Sequence, residues 1–503
     1  METQNLKERT ARGLLWGLAN NGSMQVLNLV FGIVLGRLLG EADYGLAGEV
    51  AVFTAIASAL QESGFISGLI NRKNATREDF NSVFWFNVTT SALIYVVLFF
   101  SAPLLVWYFH EPQLLWLSRY AFLGFFFASF SIAPRAHFYK NLMMKEQTLI
   151  GIAALLVSGA VGITMAALEC GAWSLVTQNI LFILTVSVLS WHISGFRPML
   201  HFSWQPIREM FGFSCKILVT NIFNTLNNSI FALLLGNFYT KNEVGRYQQA
   251  DKWNKMGSGL VTGMVQSVAQ PMFVQVGDDA ERLRRAFRKM LRFTSLLCFP
   301  AMLGLALVAR EFIVLTVGAK WLPSAELLQM LCVAGAFMPL AALHYNFLIS
   351  RGRSNVYMWN VVGQGVLVLS LLCAVHFLKL HFSFSLFTLH ISLSGIRLMV
   401  LLYVAVYVCW MLVWHGFVWR EIRLRLADAL RDTVPFLLIA VLSMVATGWL
   451  TGGLETPWLL LAVRVVVAGI LYIGIVWLTG AKILRESIQF IRRHDNKREA
   501  PVA

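Results

Sequence analysis

The stretch that decides the fold is Gly212 to Gly245, GFSCKILVTNIFNTLNNSIFALLLGNFYTKNEVG. It is long and apolar enough for a membrane-spanning helix, yet it carries asparagines at intervals of three and four residues. Asn221, Asn224 and Asn228 therefore share one helical face, and Lys216 lies nearer the start of the segment. Because lipid does not tolerate such groups, we expect this face to meet protein or water.

The same pattern occurs earlier in the chain. The corresponding residues are two hundred positions apart: Asn21 and Asn221, Asn28 and Asn228, Gly36 and Gly236, Asp43 and Glu243, and Gly45 and Gly245. This correspondence predicts a tandem duplication in which the first helix of each copy presents a polar face to one shared cavity. Internal repeats of this size are typical of membrane transporters.

The composition indicates an integral membrane protein. Of the 503 residues, 57% are hydrophobic and 13% are charged, which is more apolar surface than a soluble domain of this size buries. The net charge of +15 does not indicate nucleic-acid binding, because the basic residues lie in short links between apolar spans. The six cysteines have no metal-ligand spacing, so we expect neither a metal site nor a disulfide scaffold.

Hydropathy predicts an all-α polytopic membrane protein with about fourteen transmembrane helices. The predicted spans lie near residues 13–36, 44–70, 83–108, 115–133, 149–168, 172–193, 210–238, 247–273, 291–317, 324–349, 356–378, 386–417, 433–450 and 458–479. We expect two duplicated six-helix bundles, residues 1–209 and 210–432, followed by two additional helices and a basic tail in residues 433–503. Most of the 41 Lys and Arg residues fall in the links on one side, which predicts cytoplasmic termini.

The link at residues 278–292 has an apolar face and a basic face. Leu283, Phe287 and Leu291 recur on one side of a predicted helix, and arginines surround the other side. The pattern predicts an interfacial amphipathic helix that joins the two halves along the anionic inner leaflet. Direct contact with an anionic substrate is the alternative interpretation.

Span 8 carries a second polar face. Its members are Asp251, Lys255, Ser258, Thr262 and Gln266, with Lys252 beside them. We interpret the asparagines of spans 1 and 7, together with Lys216, Lys252 and Lys255, as candidate contacts for an anionic substrate in a cavity. The alternatives are an Asp251 to Lys255 helix pair and snorkelling of Lys216 and Lys252 to the interfaces. Arg397, in the predicted middle of span 12, joins the candidates because the sequence places no acid near it.

Three acids inside spans are candidates for coupling transport to a proton or sodium gradient: Glu49, Glu62 and Asp251. Glu62 fits a helix cap or loop contact equally well. The sequence contains no phosphate-binding loop, zinc-protease motif or nucleophile elbow. We therefore expect no enzymatic activity and no cofactor apart from a coupling ion.

A set of short elements, each weak alone, runs through most of residues 10–420. They are GRLLG at 36–40, DYGL at 43–46, ESGF at 62–65, NSVFW at 81–85, GRYQQA at 245–250, QP at 270–271, FP at 299–300 and GAKW at 318–321. Together they resemble the Wzx-type lipid-linked polysaccharide flippases of the multidrug/oligosaccharidyl-lipid/polysaccharide exporter (MOP) superfamily. The branch is similar to the colanic-acid and teichuronic-acid exporters.

The resemblance implies a fold like that of the MATE multidrug exporters, with two six-helix bundles around a central cavity in the bacterial inner membrane. It implies a flippase that moves undecaprenyl-diphosphate-linked repeat units of capsule, exopolysaccharide or lipopolysaccharide O-antigen to the periplasmic leaflet by alternating access. The partners then expected are the lipid-linked oligosaccharide, membrane lipids and polysaccharide polymerase or assembly proteins, without nucleic acid.

Three alternatives remain open. A cation-coupled multidrug exporter of the same superfamily would use cavity carboxylates, and the excess of intramembrane Lys and Arg over acids disfavours it. A lipid II flippase of cell-wall synthesis is separated only weakly by the sequence. A polytopic membrane enzyme acting on glycans is disfavoured by the missing catalytic motifs and the short links.

Overall fold

Helices form nearly all of the computed structural model. Lipid offers no hydrogen bonds to the backbone, so a spanning segment must pair its own amides and carbonyls, which a helix does. The structure describes residues 22–61, 69, 76–141, 143–199, 201–277, 279–378, 382–386, 389–393 and 395–479.

The described helices follow one another with short connections. In the first half of the chain they are α1 (Gly22–Leu38), α2 (Glu41–Gln61), α3 (Arg77–Phe109), α4 (Leu114–Ser129), α5 (Ile132–Lys140), α6 (Met144–Ala167), α7 (Ala172–Ser194) and α8 (Trp204–Phe238). In the second half they are α9 (Lys241–Val276), α10 (Ala280–Leu307), α11 (Ala309–Thr316), α12 (Leu322–Ser350), α13 (Ser354–Phe377), α14 (Gly395–Ile422), α15 (Leu426–Leu450) and α16 (Pro457–Leu478). A short 3₁₀ helix, Ala319–Trp321, precedes α12, and a hairpin of β1 (Phe382–Leu386) and β2 (Leu389–Leu393) precedes α14.

The predicted membrane spans coincide with helices, which confirms the all-α class. Among the described residues, nine helices are long and apolar enough to cross a membrane. The bent pair of α4 and α5, with 43° between its helices, is a tenth candidate. The protein is therefore a multi-pass membrane protein, while the predicted total of about fourteen spans stays a prediction.

Contacts divide the chain into two compact units, Met1–Gln248 and Gln249–Ala503. The division falls inside α9, because α8 packs against α2 and α3 of the first unit. The boundaries predicted at residues 209 and 432 rest on the duplication in the sequence, not on contacts, and they stay a prediction.

The acid that recurs in the two repeats begins a helix in each. The amide of Gly40 donates a hydrogen bond to Oδ2 of Asp43 (2.8 Å), and the amide of Thr240 donates one to Oε2 of Glu243 (3.1 Å). Each carboxylate thus occupies a backbone donor before the first turn of α2 or α9, where the helix dipole also favours negative charge.

The repeated glycines lie where the first turns of α2 and α9 meet. A methyl group at Gly45 would overlap the backbone carbonyl of Lys241, and a methyl group at Gly245 would overlap the carbonyl of Glu41. These two contacts are the same contact made in both directions, because residues 41 and 45 correspond to 241 and 245. The reciprocity is what a duplicated structure with a local two-fold relation produces.

Two ion pairs surround this glycine contact, still within the first unit. The Arg246 guanidinium lies 2.8 Å from Oε2 of Glu41, and Nζ of Lys241 lies 3.2 Å from Oε2 of Glu111. The repeats differ at these positions, since Glu41 corresponds to Lys241. The duplication therefore preserves the backbone contact while giving its two sides complementary charge.

The apolar face of the amphipathic helix predicted at residues 278–292 packs on protein and not on the membrane surface. This helix is the first part of α10, and its apolar side chains Leu283, Phe287 and Leu291 are buried inside the second unit. Phe287 stacks on Phe273, with ring centroids 6.0 Å apart. An amphipathic helix has the same apolar periodicity whether its apolar face packs on protein or on a membrane. The sequence alone therefore did not distinguish the two.

The basic side of the same helix holds α15. Nε and Nη2 of Arg288 donate to the two oxygens of Asp432 at 2.6 and 3.2 Å, and Nε of Arg284 donates to the carbonyl of Ile422 at 2.9 Å. Asp432 is 5% exposed, so this bidentate pair is largely shielded from water. The first of the two appended helices is thereby fixed to the core of the second unit.

The predicted span at residues 386–417 begins too early. Its first residues belong to the hairpin, in which Phe382 pairs with Leu393 and Phe384 pairs with Ile391. Apolar and polar residues alternate along both segments, FSFSL and LHISL, and that period favours strands over a helix. The helix begins at Gly395 and ends at Ile422.

We predict that Gly245→Ala lowers the unfolding temperature of the purified protein, because the added methyl group would overlap the backbone carbonyl of Glu41. Gly259→Ala on the same helix is the matched control, since its methyl group would meet no atom within 4 Å. There alanine should be neutral or stabilising by roughly 0.5–1 kcal/mol, because it is the better helix former. Equal unfolding temperatures for the two variants would contradict the glycine contact.

Candidate functional site

The polar face of α9 carries an ion pair in the second unit. Nζ of Lys255 lies 2.7 Å from Oδ2 of Asp251, one turn earlier. The Asp251 side chain is 11% exposed, whereas the Lys255 side chain is 57% exposed. The helix-pair interpretation of these residues is thus correct in geometry, and it leaves most of the lysine surface accessible.

The remaining polar residues of this face divide into engaged and outward-directed groups. Ser258 and Thr262 donate to carbonyls of their own helix at 2.9 and 2.8 Å, which occupies their protons. Gln266 is exposed and donates to the hydroxyl of Tyr345 at 2.7 Å. Lys255 and Gln266 are therefore the members of the face with exposed polar side chains.

Beside this polar face lies a group of aromatic side chains that the sequence analysis missed. The rings of Tyr345 and Tyr357 have centroids 5.4 Å apart, and Trp414 lies 6.4 and 6.1 Å from them. Tyr403 and Tyr407, one turn apart on α14, have centroids separated by 6.3 Å. A usable signal existed, because Tyr403, Tyr407 and Trp414 follow helical spacing on a single face of α14.

The other predicted cavity residues differ in their surroundings, and several lie outside the described part of the chain. Asn28 is exposed on α1, and Asn221 is partly exposed on α8. Lys252 is partly buried, and its ammonium group lies 5.7 Å from the centroid of the Trp253 ring. Asn21, Glu62 and the side chains of Lys216, Asn224 and Asn228 lie outside the described residues.

Glu49 is buried next to the glycine contact of the first unit. It is 2% exposed, and within the described part of the chain its Oε2 atom has no hydrogen-bond partner. A methyl group at Gly236 would lie 3.3 Å from its Cγ atom, so α8 packs directly on this carboxyl group. Its counterpart two hundred residues later, Gln249, is also fully buried, and its amide atoms are unpaired among the residues described. Buried polar groups without partners are rare and call for an explanation.

Arg397 is not an isolated charge in the middle of a span. It lies in the first turn of α14, and its Nη2 atom is 2.7 Å from Oε2 of Glu326. Both side chains are about half exposed. The span boundary was predicted too early, which made the residue look central, and its acid comes from α12, far away in the sequence.

An apolar cavity lies between α10, α15 and α16 in the second unit. It has a volume of about 720 Å³ and is lined mainly by aliphatic side chains, together with Phe312, Tyr472 and Arg464. Nη1 of Arg464 pairs with Oε1 of Glu311 at 2.9 Å, so the charge at its edge is neutralised. Both side chains of this ion pair are largely buried.

These features bring cation, amide, hydroxyl and aromatic groups together on α9, which the sequence predicts as a span, and on the apolar helices α12, α13 and α14. No cluster suited to a metal ion occurs in the described ranges. A model of the family described as "Polysaccharide biosynthesis protein" matches residues 34–326, which is more than half of the chain. The chain belongs to this family.

Individual relatives agree with the family. A lipopolysaccharide biosynthesis protein of Escherichia coli (strain K12), WzxC, is 27% identical over 365 residues, covering 71% of this chain and 73% of the relative. The teichuronic acid biosynthesis protein TuaB of Bacillus subtilis (strain 168) is 23% identical over 374 residues, covering 73% and 76%. The predicted relation to Wzx-type proteins is confirmed.

The fold of this polysaccharide biosynthesis protein is that of a known flippase structure. The lipid II flippase MurJ, in an inward closed conformation, superposes with a TM-score of 0.72 at 13% identity, covering 94% of this chain and all of that one. At such low identity the likeness establishes the fold alone.

Proposed function

We propose that this polysaccharide biosynthesis protein is a flippase that carries a polyprenyl-diphosphate-linked oligosaccharide across the bacterial inner membrane by alternating access. The observation that carries the proposal is the exposed polar face of α9, with a lysine and a glutamine inside a membrane protein. Such a face is costly against lipid and useful against a hydrated, anionic substrate.

Each chemical part of such a substrate has a matching group. A sugar requires hydrogen-bonding groups in place of water, which Gln266 and the neighbouring tyrosine hydroxyls offer. A diphosphate requires positive charge, which the exposed Lys255 supplies from its pair with Asp251. The polyprenyl chain requires apolar surface, and the 720 Å³ cavity between α10, α15 and α16 provides it.

We also propose the type of activity, the orientation and the partners of the protein. The protein acts as a transporter without catalysing a covalent step, with both termini in the cytoplasm, and delivers its substrate to polysaccharide assembly proteins in the periplasm. The basic links on one side of the spans support this orientation. The names of WzxC and TuaB, both biosynthesis proteins of cell-surface polymers, support the substrate class.

We predict that deletion of the gene causes a lipid-linked repeat unit to accumulate on the cytoplasmic leaflet, because synthesis continues while translocation stops. The measurement is extraction of the lipids followed by enzymatic trimming of glycans accessible from either side of membrane vesicles. Re-expression of the intact protein is the control and should restore the outer pool. Unchanged amounts on both leaflets would contradict the flippase function.

A test of Lys255 separates substrate contact from neutralisation of Asp251. We predict that Lys255→Gln slows export by roughly tenfold, which corresponds to one charge-assisted contact of about 1.4 kcal/mol. The double variant Asp251→Asn/Lys255→Gln removes the pair without leaving an uncompensated carboxylate, and it should be equally slow. If the double variant exports at the normal rate, the lysine serves only to balance Asp251.

Glu49 is the candidate that the structure favours for ion coupling. An ionised carboxylate is costly to bury without a full set of hydrogen bonds, so the neutral, protonated form suits the closed arrangement of α2 and α8. The charged groups that act on Glu49 electrostatically are Glu111 and Lys241. We propose that opening of the contact between α2 and α9 hydrates Glu49 and releases its proton.

We predict that Glu49→Gln makes transport insensitive to an imposed proton gradient, because the amide mimics the protonated acid permanently. The measurement is translocation of lipid-linked oligosaccharide in proteoliposomes with and without a pH difference across the membrane. Glu455→Gln, in an exposed loop, is the control and should keep the dependence of the intact protein. A Glu49→Gln variant that still responds to the gradient would remove this residue from coupling.

A further inference from the structure

The second unit contains four tyrosines that are grouped although they come from three helices. Tyr345 lies on α12, Tyr357 on α13, and Tyr403 and Tyr407 on α14. Their rings form two pairs, Tyr345 with Tyr357 and Tyr403 with Tyr407, and Trp414, on the same face of α14 as the second pair, packs against the first. We refer to these four residues as the tyrosine track.

The track is continuous with the polar face of α9. The side-chain amide of Gln266, on that face, donates a hydrogen bond to the hydroxyl of Tyr345 at 2.7 Å. The same face carries the exposed Lys255, which is paired with Asp251. The aromatic rings and the exposed polar groups therefore share one side of the second unit.

Core packing does not account for this arrangement. All four tyrosines are partly exposed, whereas Trp414, which packs behind Tyr345 and Tyr357, is 4% exposed. A core position with no polar requirement is served as well by phenylalanine, whose ring has no hydroxyl group to satisfy. Tyr345 also contacts the exposed Gln266, so this part of the group adjoins a polar surface that lipid would not accommodate.

The interfacial aromatic belt of membrane proteins explains only part of the group. Tyr345 and Tyr357 lie near helix ends, where tyrosine is common for its amphipathic ring. Tyr403 lies more than two turns from either end of α14. A belt residue has no reason to lie that far from the helix ends.

We propose that the tyrosine track binds the sugar rings of the transported lipid by stacking. A pyranose ring presents C–H groups on its flat faces, and these pack favourably on the negative face of an aromatic ring. The surrounding hydroxyls and amides complement the sugar hydroxyls, while Lys255, exposed on the adjoining face of α9, is available for the diphosphate. This assignment rests on the proposed function, because it names the part of that substrate which the second unit contacts.

Stacking tolerates different sugars, so the track alone would not select one glycan. A ring face makes contact with many pyranoses, whereas hydrogen bonds distinguish individual hydroxyl patterns. The track is thus a general holder for glycan rings. Selection among glycans then depends on the polar groups around it.

The test uses the full-length purified protein and two synthetic probes, a polyprenyl diphosphate carrying a short oligosaccharide and the same lipid diphosphate without sugar. We expect Tyr407→Leu to weaken binding of the glycosylated lipid by roughly fivefold to tenfold, the loss expected for one stacking contact. Binding of the sugar-free lipid should be unchanged, which also shows that the variant is folded. Tyr407→Phe keeps the ring and should remain within about twofold of the unmodified protein.

Tyr120→Leu is the matched control. Tyr120 pairs with Trp173 in the first unit, with centroids 5.5 Å apart, and its replacement should affect neither probe. Tyr357→Leu provides a second track variant if Tyr407→Leu does not fold, and the same loss is expected.

Equal loss for both probes, no loss, or a Tyr407→Phe variant as weak as Tyr407→Leu would overturn the stacking role. An unmodified protein that binds both lipids equally would overturn it as well. Translocation of the glycosylated lipid by that unmodified protein in vesicles reports separately on the proposed function. If the unmodified protein transports the glycosylated lipid and the Tyr407→Leu variant transports and binds it equally well, the stacking role is wrong and the proposed flippase function stands.

Discussion

A polar helix face inside a membrane is stable only where water or protein replaces lipid, and α9 places this constraint on the whole structure. Lys255 and Gln266 are exposed on that face, while Asp251 is shielded beside them. Everything packed around the face has to preserve a hydrated surface at membrane depth. The tyrosine side chains are consistent with this, because their rings tolerate both apolar neighbours and water.

At the glycine contact the two copies of the duplicated sequence meet backbone to backbone. Gly45 and Gly245 let two backbones meet without side chains between them, and the contact is tied by charged pairs on either side. Such a contact can separate without repacking a hydrophobic core, at the cost of two partly exposed ion pairs. In the proposed function, protonation of the buried Glu49 beneath it biases that separation.

The sequence was most informative where its pattern reflected a physical requirement. Apolar length determined the helices, and the recurrence of Gly45 and Asp43 two hundred residues later led to the contact and the helix starts. The sequence did not predict contacts between residues that are distant in the chain. Examples are the ion pairs of Arg397 with Glu326 and of Arg288 with Asp432, and the protein surface that covers Phe287. The tyrosine track was not predicted for the same reason, since its residues come from three separate helices. The hairpin at residues 382–393 was not predicted because part of it lies in an apolar segment that resembled a span.

Thiol labelling along α9 tests the central claim most directly. Cysteines substituted for Lys255 and Gln266 should react in intact membranes with a charged, water-soluble maleimide. Cysteines substituted for Leu260 and Met264, which are exposed on the opposite side of the same helix, should stay unreactive because lipid surrounds them. Equal reaction on both faces, or reaction confined to positions 260 and 264, would contradict a hydrated substrate surface on this helix.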